Sequence, residues 1–106
     1  MGVMMQESTG SVYVPCTGDG NCGLMQAASG SVSYNSANMQ GSITQMVQDG
    51  TQGISNGGGG LVQYINQYGN VYDALRGYNW GSVDENDLDY PYSSTASYVS
   101  DIANRL

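Results

Sequence analysis

The 106-residue sequence predicts a single all-α domain with long loops, spanning residues 1–106. Apolar residues recur at helical spacing in several separate stretches, and this period indicates amphipathic helices rather than strands. Segments rich in Gly, Ser and Asn lie between those stretches, and such segments favour turns and loops. One domain is expected because the length is close to the common domain size and no internal repeat occurs.

The first half of the chain contains two predicted helices. Methionines at helical spacing predict a helix over residues 1–8. Residues 9–21 are rich in Gly, Ser and Cys and are expected to form a loop, with a short extended piece at Val12–Val14. An apolar stripe over residues 37–54 predicts the second helix, in which each glycine lowers the helix propensity by up to about 1 kcal/mol.

The second half begins with four glycines at 57–60, which we interpret as a flexible joint or a helix start within one domain. A third apolar stripe predicts a helix over residues 61–68, and Gly69 is expected to end it. Asn70 has the side chain of a helix N-cap, and the helix that follows is expected to end at Gly77.

The C-terminal part is expected to hold a loop and one last helix. Residues 79–93 are polar and aromatic, which favours a loop. The last helix is expected to start near Ser94 or Thr95. Its predicted inward-facing residues are Tyr98, Val99, Ile102, Ala103 and Leu106.

The charge pattern excludes several classes of protein. Nine carboxylates against Arg76 and Arg105 give a net charge of −7. Nucleic acid and anionic membrane surfaces are not expected as partners, because binding to them needs clustered Lys and Arg. No stretch reaches the roughly 18 apolar residues of a membrane-spanning helix. The sequence contains no His, which excludes a Ser-His-Asp triad and His-ligated zinc, so no metal or cofactor is expected.

The two cysteines, Cys16 and Cys22, flank a short segment that contains two glycines. Free thiols are one interpretation, and a metal site lacks further ligands. We predict a disulfide because the glycines allow so tight a loop to close. Closing the loop would stabilise the fold by roughly 2.4 kcal/mol in the chain-entropy model. A disulfide indicates a secreted protein, whose leader would lie outside this sequence.

Two further motifs are accidental matches. Residues 18–23 fit the glycine pattern of a dinucleotide-binding turn, but Ile43 stands where the acidic residue belongs and no second parallel strand follows. The acidic run 84–89 lacks the spacing of a calcium loop, since Leu88 occupies a ligand position. That run is expected to be a solvated loop.

Several short segments occur in an order that bears on function. Gln-Glu-Ser at 6–8 closes the first predicted helix, and Gly-Leu-Met-Gln follows the cysteine loop at 23–26. Residues 50–52 and 66–70 belong to the central helices, and Gly-Tyr-Asn stands at 77–79. Together these segments resemble the goose-type lysozymes and soluble lytic transglycosylases, glycoside hydrolase family 23, over nearly the whole chain. The last segment departs from the Ala-Tyr-Asn of that family by one residue.

The resemblance implies an all-α, lysozyme-like domain with a substrate cleft between the Glu7 helix and the Tyr78 region. It implies a muramidase that cleaves the β-1,4 bond between N-acetylmuramic acid and N-acetylglucosamine in bacterial peptidoglycan, with Glu7 as the general acid. Glycan strands of the cell wall would be the partner, and a monomer is expected. The residues implied to contact the substrate are Ser8, Gly23, Leu24, Met25, Gln26, Tyr78, Asn79, Trp80 and Tyr98.

The product depends on a second carboxylate. The resemblance implies that an aspartate in the loop before Gly-Leu-Met-Gln holds water in hydrolytic members, and Asp19 lies in that loop. We favour hydrolysis over anhydro-forming cleavage for this reason. The alternative is that Asp19 only forms an Asx turn that closes the loop. Ala27 and Ala28 stand where some goose-type enzymes have a further aspartate.

Two rival functions remain open, a non-catalytic glycan-binding module and an enzyme that cleaves chitin. Only six residues precede Glu7, fewer than in the helix of the family, so the domain is expected to be short at its N-terminus. The isoelectric point of about 4.1 indicates an enzyme for acidic surroundings or for wall fragments, because a negative field slows approach to an anionic surface.

Overall fold

The structure, a computed structural model, describes residues 1–18, 20–54, 59–80 and 97–105, with only the backbone of Trp80. The described residues form five α-helices, which are α1 (Gly2–Ser8), α2 (Met39–Gln52), α3 (Leu61–Tyr68), α4 (Val71–Trp80) and α5 (Tyr98–Ala103). A 3₁₀ turn at Ser36–Asn38 leads into α2. Extended pairing within these ranges is limited to two isolated bridges, so the predicted all-α fold is confirmed. No helix of the described part is long and apolar enough to cross a membrane.

The starts of α3 and α4 follow from capping chemistry. Asn70 Oδ1 accepts a hydrogen bond from the backbone N–H of Asp73 at 2.9 Å, so the predicted N-cap of α4 is confirmed. Gly60 is the N-cap of α3, and its N–H donates to Gln63 Oε1 at 2.6 Å. A methyl group at Gly60 would collide with the backbone of Gly53 at the end of α2. The helix-start interpretation is therefore confirmed for this glycine.

Two predictions of local structure are wrong. Residues 12–13 form a turn rather than an extended piece, and the Val14 N–H donates to the Ser11 carbonyl at 3.4 Å. The helix expected to end at Gly77 continues to Trp80, so the predicted loop begins too early. Tyrosines of α3 pack closely against Gly77, and this packing outweighs the low helix propensity of glycine.

The C-terminal helix agrees with the prediction in the residues that the structure describes. α5 begins at Tyr98, and Tyr98, Val99 and Ile102 are buried as predicted. Several predicted features lie outside the described residues. These are the helix start at 94–95, the rest of the loop at 81–93, Leu106, Gly57 and Gly58.

The core lies where α1, α4 and α5 meet, beneath the Gly-Leu-Met-Gln segment. Its buried residues are Val3, Met25, Leu75, Tyr98, Val99 and Ile102. α3 packs against both α2 and α4, while α5 packs against α1 and α4. The contact between α1 and α5 is the one that determines the surroundings of Glu7, which lies one residue before the end of α1.

Candidate functional site

Glu7 lies in a desolvated position where α1 meets α5. The Tyr98 hydroxyl donates a hydrogen bond to Glu7 Oε1 at 2.8 Å. Burial raises the pKa of the Glu7 carboxyl, and the hydrogen bond from Tyr98 opposes that rise by favouring the charged form. The net direction is upward, so this carboxyl retains its proton to a higher pH than an exposed glutamate does.

Tyr98 is a core residue that contacts the carboxyl from within the protein. Its side chain is 1 % exposed and belongs to the buried cluster between the helices. Burial and the nearby negative charge of Glu7 raise the pKa of the Tyr98 hydroxyl, while the positive charge of Arg76 opposes this. The hydroxyl therefore remains a hydrogen-bond donor across the range in which Glu7 titrates.

The Gly-Leu-Met-Gln segment folds into a tight turn. Gly23 has φ +81, and a methyl group there would lie 2.6 Å from the Val32 carbonyl and 2.8 Å from Met46 Cγ, so glycine is required. Leu24 and Met25 are both buried and face away from solvent. The segment thus presents little apolar surface outward.

Gln26 connects this turn to the cysteine loop. Its amide Nε2 donates to the carbonyls of Gly23 and Pro15 at 3.0 and 3.3 Å. Its Oε1 accepts from Thr17 Oγ1 at 2.7 Å. The backbone of Gln26 has φ +45, a strained conformation that these three hydrogen bonds hold in place. Gln26 is buried, and its role in the described structure is to fix the turn.

The predicted disulfide between Cys16 and Cys22 is present. Thr17 and Asn21 pair across the loop through two backbone hydrogen bonds of 2.9 Å each. Asp19, the middle residue of this loop in the sequence, lies outside the described residues. The ends of the loop are therefore held by a covalent bond, a backbone bridge and the side chain of Gln26.

Tyr78 and Asn79 lie on α4 beside the same turn. The Tyr78 hydroxyl donates to the Met25 carbonyl at 2.7 Å. Burial raises the pKa of Tyr78, and the negative charge of Glu7 raises it further. Asn79 Oδ1 accepts from Arg76 Nη1 at 3.1 Å.

A polar cavity of about 200 Å³ opens between this turn and helices α3 and α4. Its described lining residues are Asn21, Gln26, Ala27, Ala28, Ser29, Gly59, Tyr64, Tyr78 and Asn79. The cavity thus brings together Gln26, Tyr78 and Asn79 of the predicted site. Glu7 is not among the described lining residues, so α3 and α4 rather than α1 border this cavity.

The other predicted site residues have different positions. Ser8 is buried, and its hydroxyl donates to the Met4 carbonyl at 3.0 Å while accepting from the Gly10 N–H at 3.2 Å. It therefore closes the C-terminal end of α1 below Glu7. The side chain of Trp80 lies outside the described residues.

Two buried charged residues were not predicted as part of the site. Arg76 is 0 % exposed and lies near Tyr98 and Asn79. Asp49 of α2 is 5 % exposed, and it accepts from the Val32 N–H at 2.9 Å and from Gln45 Nε2 at 2.8 Å. One signal was available for Arg76, because it is one of only two cations in the chain. Nothing in the local pattern distinguishes Asp49 from a solvated helix residue.

Comparison with known families identifies the chain. The model of the transglycosylase SLT domain matches residues 1–98, so the protein belongs to that family. Searches of curated proteins and of solved structures gave no match. The family consists of glycosidase-type enzymes that degrade peptidoglycan, and the protein is an enzyme of this class.

Proposed function

We propose that the protein is a muramidase that cleaves the β-1,4 bond between N-acetylmuramic acid and N-acetylglucosamine, with Glu7 as its general acid. The observation that carries this proposal is the environment of Glu7, a half-buried carboxyl with a raised pKa and a hydrogen bond from Tyr98 at 2.8 Å. Delivering a proton near neutral pH requires a carboxyl whose pKa has been raised by desolvation.

The proposed reaction starts with the transfer of the Glu7 proton to the glycosidic oxygen. The bond between that oxygen and the anomeric carbon breaks, and the muramic acid ring becomes oxocarbenium-like. Tyr98 engages Oε1, so the proton for transfer belongs on Oε2. The carboxylate left behind keeps the hydrogen bond from Tyr98, and hydrogen bonds to charged acceptors are stronger than neutral ones. Tyr98 would therefore stabilise the product state of the proton transfer.

The polar cavity is proposed to hold the glycan strand. Tyr78 and Asn79 line it and are proposed to contact sugar, the first through its ring and the second through its amide. Gln26, Gly23, Leu24 and Met25 are proposed to act by shaping the turn that forms the opposite wall, and Ser8 by ending α1 at the carboxyl. Trp80 keeps its proposed role in substrate contact from the sequence resemblance.

We propose hydrolysis as the outcome, with Asp19 holding the attacking water. The support is the anchoring of its loop, because the disulfide and the Thr17–Asn21 bridge hold the residues that flank Asp19 in the sequence. Asn21 from the same loop lines the cavity, so the loop borders the proposed substrate. Water held in a fixed orientation is what a displacement at the anomeric carbon needs. The disulfide also supports export from the reducing cytosol.

Mass spectrometry of a peptidoglycan digest tests the activity and its product together. Hydrolysis yields reducing muramic acid ends, whereas intramolecular attack by the 6-hydroxyl yields 1,6-anhydro ends that are lighter by one water. We expect reducing ends, and a rate lowered about 10²- to 10⁴-fold in Asp19→Asn. Anhydro ends with an unaffected Asp19→Asn variant would establish a lytic transglycosylase. Chitin oligomers are tested in parallel as the rival substrate. If neither polymer is cleaved, the remaining candidate is a non-catalytic glycan-binding module.

A further inference from the structure

The cavity wall contains a tyrosine, Tyr64, to which the proposed function assigns no role. Tyr64 lies in α3 and lines the polar cavity together with Gly59 and Tyr78. It is half-buried, so part of its side chain remains accessible. Its position four residues before Tyr68 makes it an ordinary member of the helical stripe in the sequence, and the cavity is what distinguishes it.

Two glycines make room for the ring of Tyr64 on opposite edges. A methyl group at Gly77 would lie 2.8 Å from Tyr68 Cε2 and 2.9 Å from Tyr64 Cδ1, and one at Gly59 would lie 3.0 Å from Tyr64 Cε2. Gly77 is also the position at which this chain departs from the Ala-Tyr-Asn segment that it resembles. The substitution therefore has a local consequence, because the alanine methyl group would crowd the ring in its present position.

Neighbouring tyrosines determine the orientation of the ring. Tyr64 and Tyr68 are parallel, with 6.4 Å between their ring centroids and an interplanar angle of 4°. Tyr64 and Tyr78 meet edge to face at 6.5 Å and 82°. The ring is thus held by two aromatic contacts and two glycines, and its remaining surface faces the cavity that contains Tyr78 and Asn79.

The hydroxyl of Tyr64 is available to a ligand. It makes no hydrogen bond to any residue in the part of the chain that the structure describes, whereas the hydroxyls of Tyr78 and Tyr98 are both engaged within the protein. Burial and the nearby Tyr68 raise the pKa of Tyr64, so the group is a neutral donor at physiological pH. A rigid aromatic side chain with a free polar end is well suited to contact a sugar ring.

We propose that Tyr64 is a substrate-binding residue that contacts a pyranose ring of the glycan strand, and that Gly59 and Gly77 keep it in place. The proposal rests on the proposed function, because it uses the same cavity and the same class of substrate. Tyr64 binds the sugar through its ring and hydrogen-bonds a hydroxyl or N-acetyl group of that sugar through its phenol. It acts on binding and takes no part in the proton transfer.

Calorimetric titration with soluble, uncrosslinked peptidoglycan strands tests this in the Glu7→Gln background, where the proposed function predicts cleavage slowed by at least about 10²- to 10⁴-fold. Adding Tyr64→Ala should raise the Kd about tenfold, which corresponds to about 1.4 kcal/mol of binding free energy. Adding Tyr64→Phe should give a smaller rise, since only the hydroxyl is lost. Tyr72→Ala is the matched control, because Tyr72 is 47 % exposed on α4 and does not line the cavity.

Gly77→Ala tests the role of the glycine. It should raise the Kd when Tyr64 is present and change it much less in the Tyr64→Ala background, so the two substitutions are not additive. An unchanged Kd in both Tyr64 variants would overturn the inference even if the wild-type protein cleaves peptidoglycan. Conversely, a wild-type protein that cleaves nothing while Tyr64→Ala still weakens binding would contradict the proposed function and leave the inference standing.

Discussion

Two cavities share the Gly-Leu-Met-Gln segment as a wall, and they differ in chemistry. Gln26 lines the polar cavity of about 200 Å³, whereas Met25 lines an apolar cavity of about 280 Å³. The apolar cavity also contains Met4 and Leu75, next to the core below Glu7. The apolar cavity is therefore the larger of these two, but its lining offers few of the polar groups that a glycan needs.

The difference separates two tasks, which are the desolvation of Glu7 and the binding of the glycan strand. Apolar side chains of α1 and the core exclude water, and this raises the pKa of the carboxyl. Polar groups on the cleft side supply the directional contacts, as in the hydrogen bond from Tyr78 to the Met25 carbonyl. Changes on the apolar side should therefore alter stability and pKa, while changes on the polar side should alter binding and rate.

Glu7→Gln should produce the largest effect, because it replaces the acid that the apolar side desolvates. We expect the cleavage rate to fall by at least about 10²- to 10⁴-fold, because the variant has no proton to deliver. Release of soluble fragments from purified walls measures it. Asp101→Asn is the control, since it removes a carboxylate that accepts from Ser97 at the start of α5 and lines none of the described cavities. A Glu7→Gln variant with wild-type activity would contradict the assignment of the acid.

We also predict how Glu7→Gln changes the free energy of unfolding. The raised pKa of Glu7 determines the sign of that change. A folded-state pKa above the unfolded value contributes stability below the unfolded pKa, and this is lost as the pH rises through the folded pKa. Glutamine does not ionise and keeps its contribution. Glu7→Gln should therefore be more stable than wild type at pH 7, and the difference should shrink below about pH 4. Urea unfolding at the two pH values measures it, and a pH-independent difference would contradict the desolvation of Glu7.

Gly50→Ala should produce the next largest effect and tests the apolar side. The added methyl group would lie 2.5 Å from Met25 Cβ, and overpacking of a core typically costs about 1–3 kcal/mol. The free energy of unfolding in urea should fall accordingly. Gly41→Ala in the same helix is the matched control, because the atoms nearest to its methyl group belong to the exposed Asn38 side chain, which is free to move aside. Equal stability of both variants would show that α2 does not pack tightly on the Met25 segment.

Tyr98→Phe should have the smallest effect and links the two sides. The ring remains to fill the core, but the hydrogen bond to Glu7 Oε1 is lost. Since that bond lowers the pKa of Glu7, its removal should raise the pKa further. The basic limb of the kcat/KM profile should move to higher pH, with only a modest loss of maximal rate. Tyr72→Phe is the control. If the basic limb of the Tyr98→Phe profile does not move, Tyr98 does not affect the pKa of Glu7.

Local patterns predicted much of the fold. Apolar stripes located α2 and α3, Asn70 located the start of α4, and the spacing of the cysteines indicated their bond. Gly77 was misleading because propensity is a local property, whereas the continuation of α4 depends on tyrosines from another helix. The candidate acid and the cleft residues came from motif resemblance rather than from periodicity.

The sequence by itself determined the helices, the disulfide, the acidic charge and the family, because each depends on residues close in the chain or on matched segments. Only the tertiary structure joined Tyr98 to Glu7, which are 91 residues apart, and only it placed Tyr64 between two glycines beside the cleft. The burial of Arg76 and Asp49 is likewise a property of the packed helices. Desolvation, and with it the pKa of Glu7, depends on every surrounding atom, so it arises only once the helices have packed.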